Sequence, residues 1–221
     1  QTADSLRYYA DQIHAAVDHA DHIFAQTENT KHDIVDILGV VPEKITVHWL
    51  GVHPNFRPLA TKDVQEVLKV YALPPDYLLF VGTIEPRKNL PSLIDAFLRL
   101  KKHIPHLPSL VIVGQKGWHA EKSLQAIASA GTDILWRQNV PFADLPAIYN
   151  GAQFLILPSF HEGFGMPAIE AMACGVPVIV ARRGALPEVV GEAGVYIDPE
   201  DIESIADAMA LLLQDKAQFE E

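Results

Sequence analysis

His161-Glu162-Gly163-Phe164-Gly165-Met166-Pro167-Ala168-Ile169-Glu170 sets a glycine turn and a helix start between two glutamates. Apolar runs of strand length flank it, Phe154 to Leu157 before and Val176 to Val180 after. A strand, a glycine turn and a helix in that order expose backbone N–H groups at the helix entrance, and such groups bind anions. A carboxylate on each side adds acceptors for sugar hydroxyls. The stretch predicts a strand–turn–helix unit and one ligand that carries both phosphate and sugar.

Outward from this unit the same rhythm continues. Tyr77 to Val81, Leu110 to Val113, Ile134 to Trp136, Phe154 to Leu157, Pro177 to Val180 and Val195 to Ile197 are strand candidates. Several are apolar on consecutive positions, as strands covered on both faces are. Helical spacing falls between them. Asn89 is positioned to cap a helix bearing Leu90, Leu93, Ile94, Phe97 and Leu98, and Asp198-Pro199-Glu200-Asp201 reads as cap, proline and acidic first turn before Ile202, Ile205, Met209 and Leu212. Alternation of strand and helix predicts an α/β fold with a doubly wound parallel sheet, Rossmann-like.

The first 55 residues are of another kind. His22 to Ala25 and Lys44 to Trp49 are strand candidates around a helix capped by Thr27 or Thr30 and ended by Gly39. Gly51 to Pro58, with a glycine and two prolines, reads as a linker. Residues 1–55 are therefore expected to be the end of one domain plus linker, and 56–221 a second domain. The three/four spacing of Leu6, Tyr9, Ile13, Val17 and Ala20 predicts that the chain begins inside a helix, as a piece of a longer protein would.

In doubly wound folds ligands sit at the carboxyl ends of the strands. Gly82 to Asn89, Gly114 to Trp118 and Ser159 to Gly165 each follow a strand and share that edge. Gly163 to Ala168 matches the G-x-G-x-x-A dinucleotide pattern, but late in the domain and without an acidic residue closing a strand about 20 residues on. A glycosidase also uses two carboxylates, yet here they flank a phosphate-type turn. Glycines used only for packing are the remaining alternative. Arg87-Lys88, just ahead of a helix start, suits neutralisation of a diphosphate, and Arg182-Arg183 is a second basic pair. Asn139-Val140-Pro141-Phe142 is placed to wall a base pocket.

A net charge of −11, without a basic cluster interleaved with aromatics, argues against a nucleic-acid partner. An anionic substrate must then be held by a few local cations and amides. The apolar runs are too short to span a bilayer, and no signal peptide opens the chain. The one cysteine, Cys174, fits a reducing compartment and reads as a packed small residue. The ten histidines, His119 and His161 among them, show no metal-ligand spacing, and no D-x-D pair is present.

These residues resemble the C-terminal half of GT-B fold retaining glycosyltransferases of family 4, the "glycosyl transferases group 1" type. The resemblance rests on Glu162 to Glu170, its continuation Ala171-Met172-Ala173-Cys174-Gly175-Val176-Pro177-Val178-Ile179-Val180, and Val81-Gly82-Thr83-Ile84-Glu85-Pro86-Arg87-Lys88-Asn89. It implies Glu162 beside the transferred sugar, Glu170 on the ribose, and the amides of Gly163, Phe164, Gly165 and Met166 on sugar and phosphates. It places Lys88 on the diphosphate and Val140 at the base. Thr83 stands where many members have arginine, so Arg87 is expected to supply that cation.

The implied activity is transfer of a hexose, mannose-type favoured, from a nucleoside-diphosphate sugar to a saccharide or lipid-linked acceptor in bacterial polysaccharide synthesis. No metal and no cofactor is implied. A cytoplasmic location follows, with any peripheral contact at the inner face of the membrane made through the missing acceptor half. In such enzymes an N-terminal domain binds the acceptor and a last helix crosses back; the chain is expected to hold only the end of the former and to stop before the latter, so the 221 residues alone are expected to bind donor weakly and not to transfer sugar. A non-catalytic nucleotide-sugar-binding module and a GT-B UDP-sugar epimerase are the alternatives.

Overall fold

The computed structural model describes residues 3–104 and 106–214. The described residues form two parallel sheets. The smaller pairs β1 (Ile23–Ala25) with β2 (Ile45–Val47), beside α1 (Ala3–His19) and α2 (Glu28–Leu38). Thr27 caps α2 by accepting the Thr30 N–H, and Gly39 ends it in the left-handed conformation. Ala25, Val40 and Ile45 form the small core, with Val17 packed against it. The expected helix at the start of the chain is α1. The Leu6 side chain lies outside the described residues, and so does the expectation about the chain's end, which falls on 215–221.

The larger sheet has six parallel strands: β3 (Tyr77–Val81), β4 (Ser109–Val113), β5 (Ile134–Arg137), β6 (Ala152–Leu157), β7 (Val178–Ala181) and β8 (Val195–Ile197). Their order, β5-β4-β3-β6-β7-β8, is the doubly wound arrangement, with its switch point between β3 and β6. All five residues of β3 and all four of β7 are buried, which is why these strands read as unbroken apolar runs.

Helices cover both faces: α3 (Thr61–Val70), α4 (Leu90–Lys101), α5 (Glu121–Ser129), α6 (Leu145–Asn150), α7 (Met166–Ala173), α8 (Leu186–Val190) and α9 (Ile202–Gln214). α4 buries Leu93, Ile94 and Phe97 and lies against α9, which buries Ile205, Met209 and Leu212. Full burial of side chains of this size contributes about 1.5–3 kcal/mol each relative to exposure.

Two cap assignments are corrected. Asn89 does not cap α4 with its side chain. It closes the preceding Pro86–Lys88 turn in the left-handed conformation, and its amide donates to the Pro199 carbonyl at 2.7 Å. At the start of α9 the cap is Asp201, whose carboxylate accepts the Glu203 N–H at 2.9 Å, because a turn from Asp198 to Asp201 comes first. No helix among the described residues is long and apolar enough to cross a membrane.

Candidate functional site

The loops that leave β3 and β6 meet at the switch point. Pro86–Lys88 forms one helical turn that turns the Lys88 side chain inward, and the Phe160 N–H donates to the Arg87 carbonyl at 2.8 Å, joining the loops by backbone. Glu162 is the hub. Its Oε1 accepts from Lys88 Nζ at 2.5 Å and from the Ser159 hydroxyl at 2.7 Å. Its Oε2 accepts from Arg87 Nη1 at 2.9 Å, and the same nitrogen donates to the His161 carbonyl. Arg87 is shared, since its Nε lies 2.6 Å from Glu85 Oε1, while Trp118 Nε1 donates to Glu85 Oε2 at 2.7 Å. The expected trio of Glu162, Lys88 and Arg87 is thus one assembled group.

Two carboxylates and two cations make this group neutral. Burial pushes the Glu162 carboxyl up, but the Lys88 charge and the hydrogen bonds from Lys88, Ser159 and Arg87 outweigh it and hold the group below its usual range. Glu162 is therefore a weak base with three donors on its two oxygens, better suited to orienting and stabilising charge than to taking a proton.

Beside the hub lies the glycine turn. Gly165 is left-handed at φ 94°, and a Cβ there would stand 2.5 Å from a Leu186 methyl. Gly184 lies against backbone rather than a side chain: its Cβ would stand 2.8 and 2.9 Å from the carbonyl oxygen and the nitrogen of Glu162. The Ala185 N–H donates to the same Glu162 carbonyl at 3.0 Å, so the start of α8 fixes the Glu162 backbone. The N–H groups of Gly163, Phe164, Gly165 and Met166 have no acceptor among the described residues. A carboxylate-cation hub thus adjoins a row of free amides at a helix entrance.

Glu170 lies apart from the hub, buried on α7, where the fully buried Tyr149 hydroxyl donates to its Oε2 at 2.7 Å. Burial raises the Glu170 carboxyl above its usual value, with the Tyr149 hydrogen bond opposing. An aromatic chain runs on from Tyr149 through Phe56 and Phe142 to His53, between β2 and α3. Val140 is half-buried beyond β5 on the same sheet edge, and Thr83 is exposed, its methyl close to where a Cβ on Gly117 would lie. The second basic pair is not part of the hub: Arg182 stacks over the Tyr196 ring at 4.5 Å, and Arg183 bonds Glu200 at 3.1 Å. His161 is exposed, its Nε2 3.9 Å from Asp33, and Trp118 and His119 pack edge to face.

Glu170 carries a stability signature. A raised folded-state value means that the ionised group opposes folding at neutral pH, and the penalty vanishes below the unfolded value, where both states are protonated. Glu170→Gln, whose amide oxygen still accepts from Tyr149, is expected to melt above wild type at pH 7, with the gap closing as pH falls toward about 4. A melting series across that range checks it, and a gap independent of pH would discredit the assignment.

Ser159, Glu85, Trp118, Tyr149 and Gly184 were not singled out from the sequence. Ser159 and Glu85 carried a signal, three residues before Glu162 and two before Arg87. Trp118, Tyr149 and Gly184 reach the site only through tertiary packing.

The six-stranded sheet with its switch-point hub has the architecture of GT-B glycosyltransferases. The structure of Anabaena Alr3699/HepE in complex with UDP-glucose aligns with a TM-score of 0.81 at 19% identity, over 93% of this chain and 57% of that one. Glycosyl transferases group 1 matches residues 64–221, and the chain belongs to that family. The O-antigen chain mannosyltransferase B of Escherichia coli is 34% identical over 216 residues, 96% of this chain and 56% of that protein. The serotype-specific mannosyltransferase WbdA of Escherichia coli is 27% identical over 220 residues, 97% of this chain and 27% of that protein. The chain thus spans about half or less of the length of these relatives.

Proposed function

We propose that this chain is the donor-binding half of a retaining glycosyltransferase that moves a hexose, mannose-type favoured, from a nucleoside-diphosphate sugar to a saccharide or lipid-linked acceptor in bacterial polysaccharide synthesis. The observation that carries this is the neutral hub of Glu162, Lys88, Arg87 and Glu85 set beside four amides at the entrance of α7 that have no acceptor among the described residues. The names of the mannosyltransferase relatives support the sugar, and the UDP-glucose complex of a structural neighbour supports the donor class.

In this assignment the amides of Gly163, Phe164, Gly165 and Met166 hold the phosphates and the near side of the sugar. Lys88 and Arg87 neutralise the charge that develops on the diphosphate as its bond to the anomeric carbon breaks. The acceptor hydroxyl attacks from the face the diphosphate leaves, which preserves configuration, and its proton passes to the departing phosphate oxygen. Glu162, ionised and of low basicity, stabilises positive charge on the sugar. Glu170 accepts from the ribose hydroxyls, and Val140 and Thr83 line the base and phosphate sides. No metal or cofactor has a role. Residues 1–55 belong to the acceptor-side domain, whose remainder would make any contact with lipid-linked acceptor at the cytoplasmic face.

Calorimetric titration of the full-length protein with GDP, UDP, ADP and their sugars tests the assignment. One nucleoside diphosphate is expected to bind; binding of NAD(P) instead would end the donor reading. Arg87→Ala is expected to weaken that nucleoside diphosphate about tenfold, the cost of one charge-assisted hydrogen bond. Unchanged affinity and turnover would remove Arg87 from the diphosphate site.

A further inference from the structure

The Gly163 carbonyl, in the middle of the glycine turn, is held by side chains that come from far away in the chain. Thr30 Oγ1 lies 3.1 Å from it and Thr27 Oγ1 3.2 Å. The two hydroxyls are 2.9 Å apart, and Thr27 Oγ1 also accepts the Thr30 N–H at 3.1 Å. Each hydroxyl has one proton. The arrangement that leaves no two lone pairs facing has Thr30 donate to Gly163 and Thr27 donate to Thr30. Thr27 is fully buried and Thr30 half-buried, so the inner end of this relay is shielded from water.

A second contact fixes the same segment in place. Glu188 on α8 spreads its two oxygens over the first turn of α2, accepting from the Glu28 N–H at 2.9 Å and the Asn29 N–H at 3.0 Å. A carboxylate at that end of an eleven-residue helix also meets the positive end of its dipole. Thr27 and Thr30 are thereby pressed against the turn, although they lie 136 and 133 positions from Gly163 in the chain.

The consequence is geometric. The Gly163 carbonyl and the Phe164 N–H belong to one peptide unit, and in a trans peptide they point in opposite directions. Glycine at 163 leaves this peptide free to rotate unless something outside the turn holds it. Thr30 grips the carbonyl, so the unpaired Phe164 N–H must face the other way.

We infer that Thr30, backed by Thr27 and Glu188, is a positioning residue for donor phosphate: it fixes the Gly163–Phe164 peptide so that the Phe164 N–H is presented to the anion. The inference rests on the donor-site assignment of the turn. It adds that residues outside the family match at 64–221 set the geometry of the phosphate cradle. Any shift of the N-terminal segment relative to the turn then alters donor affinity.

The test compares Thr30→Val, which keeps the shape and loses the hydroxyl, with Thr30→Ser, which keeps it, in the full-length protein. Binding is measured for the nucleoside diphosphate that wild type takes and, by competition, for its parent nucleoside. Thr30→Val is expected to weaken the diphosphate about threefold to tenfold with nucleoside affinity unchanged, and Thr30→Ser to restore it within about twofold. Glu188→Gln, which breaks one of the two bonds to α2, is expected to give a smaller loss with the same phosphate selectivity, and it decides the matter if Thr30→Val does not fold. Diphosphate affinity unchanged in both variants overturns the inference, as does an equal loss for nucleoside and diphosphate. A wild type that binds no nucleoside diphosphate instead overturns the donor-site assignment, and this inference with it.

Discussion

Lys88→Met is expected to lower the melting temperature of the ligand-free protein by roughly 6–20 °C and to abolish measurable donor binding. The side chains of Lys88 and Glu162 are each only 7% exposed. Removing one partner of such a pair leaves a buried charge without compensation, at a cost of about 3–5 kcal/mol. For a chain of this size each kcal/mol corresponds to about 2–4 °C. Arg87 does not make up the loss, because it is half exposed, bonds the other oxygen and is shared with Glu85.

The pH dependence has a definite sign. Glu162 is held below its usual range, so it stabilises the fold above the unfolded value of 4.5, and that contribution disappears as pH falls through the lower folded value. The gap between wild type and Lys88→Met should therefore narrow as the medium is acidified below about 4.5. The double variant Lys88→Met/Glu162→Gln should recover most of the lost stability, since a neutral amide needs no cation, while remaining inactive. A Lys88→Met protein that melts within about 2 °C of wild type, or a double variant no better than the single one, would show that the pair does not hold the site together.

Much of this architecture was legible in the sequence because burial leaves a simple trace. β3, β4, β6 and β7 are sealed on both faces, so their composition alone marks them, and the switch-point loops follow directly after two of them. α6 and α8, six and five residues long, are too short to show a helical period. Asn89 misleads because its residue type suits a helix cap and a left-handed turn equally; the Pro86–Lys88 turn that takes it is a matter of what precedes it. Glu162, Lys88 and Arg87 are apparent from their loops, but their mutual pairing is not. Nor are the bonds of Tyr149 to Glu170, Glu188 to α2 and Thr30 to Gly163. Each joins side chains that the winding of the sheet brings together, and no local pattern records it.

Glu162→Gln is expected to separate binding from turnover in opposite directions. The Glu162 carboxylate takes up both Lys88 and Arg87, so a diphosphate bound as proposed would compete with it for the same cations. A neutral amide competes less. Affinity for the nucleoside diphosphate alone should rise, by up to about tenfold if the change is worth one such interaction of ~1.4 kcal/mol. Turnover of the full-length enzyme should fall by about 10²–10⁴ if, as proposed, Glu162 faces the developing positive charge on the sugar. The isosteric amide still accepts from Ser159 or Lys88, so the loop keeps its shape, although the buried Lys88 charge loses its carboxylate and the ligand-free protein is expected to melt below wild type. Calorimetry on the diphosphate and initial rates on the sugar nucleotide give the two readouts. A residue that merely supports the fold would weaken both together, and that parallel loss would remove Glu162 from the reaction centre.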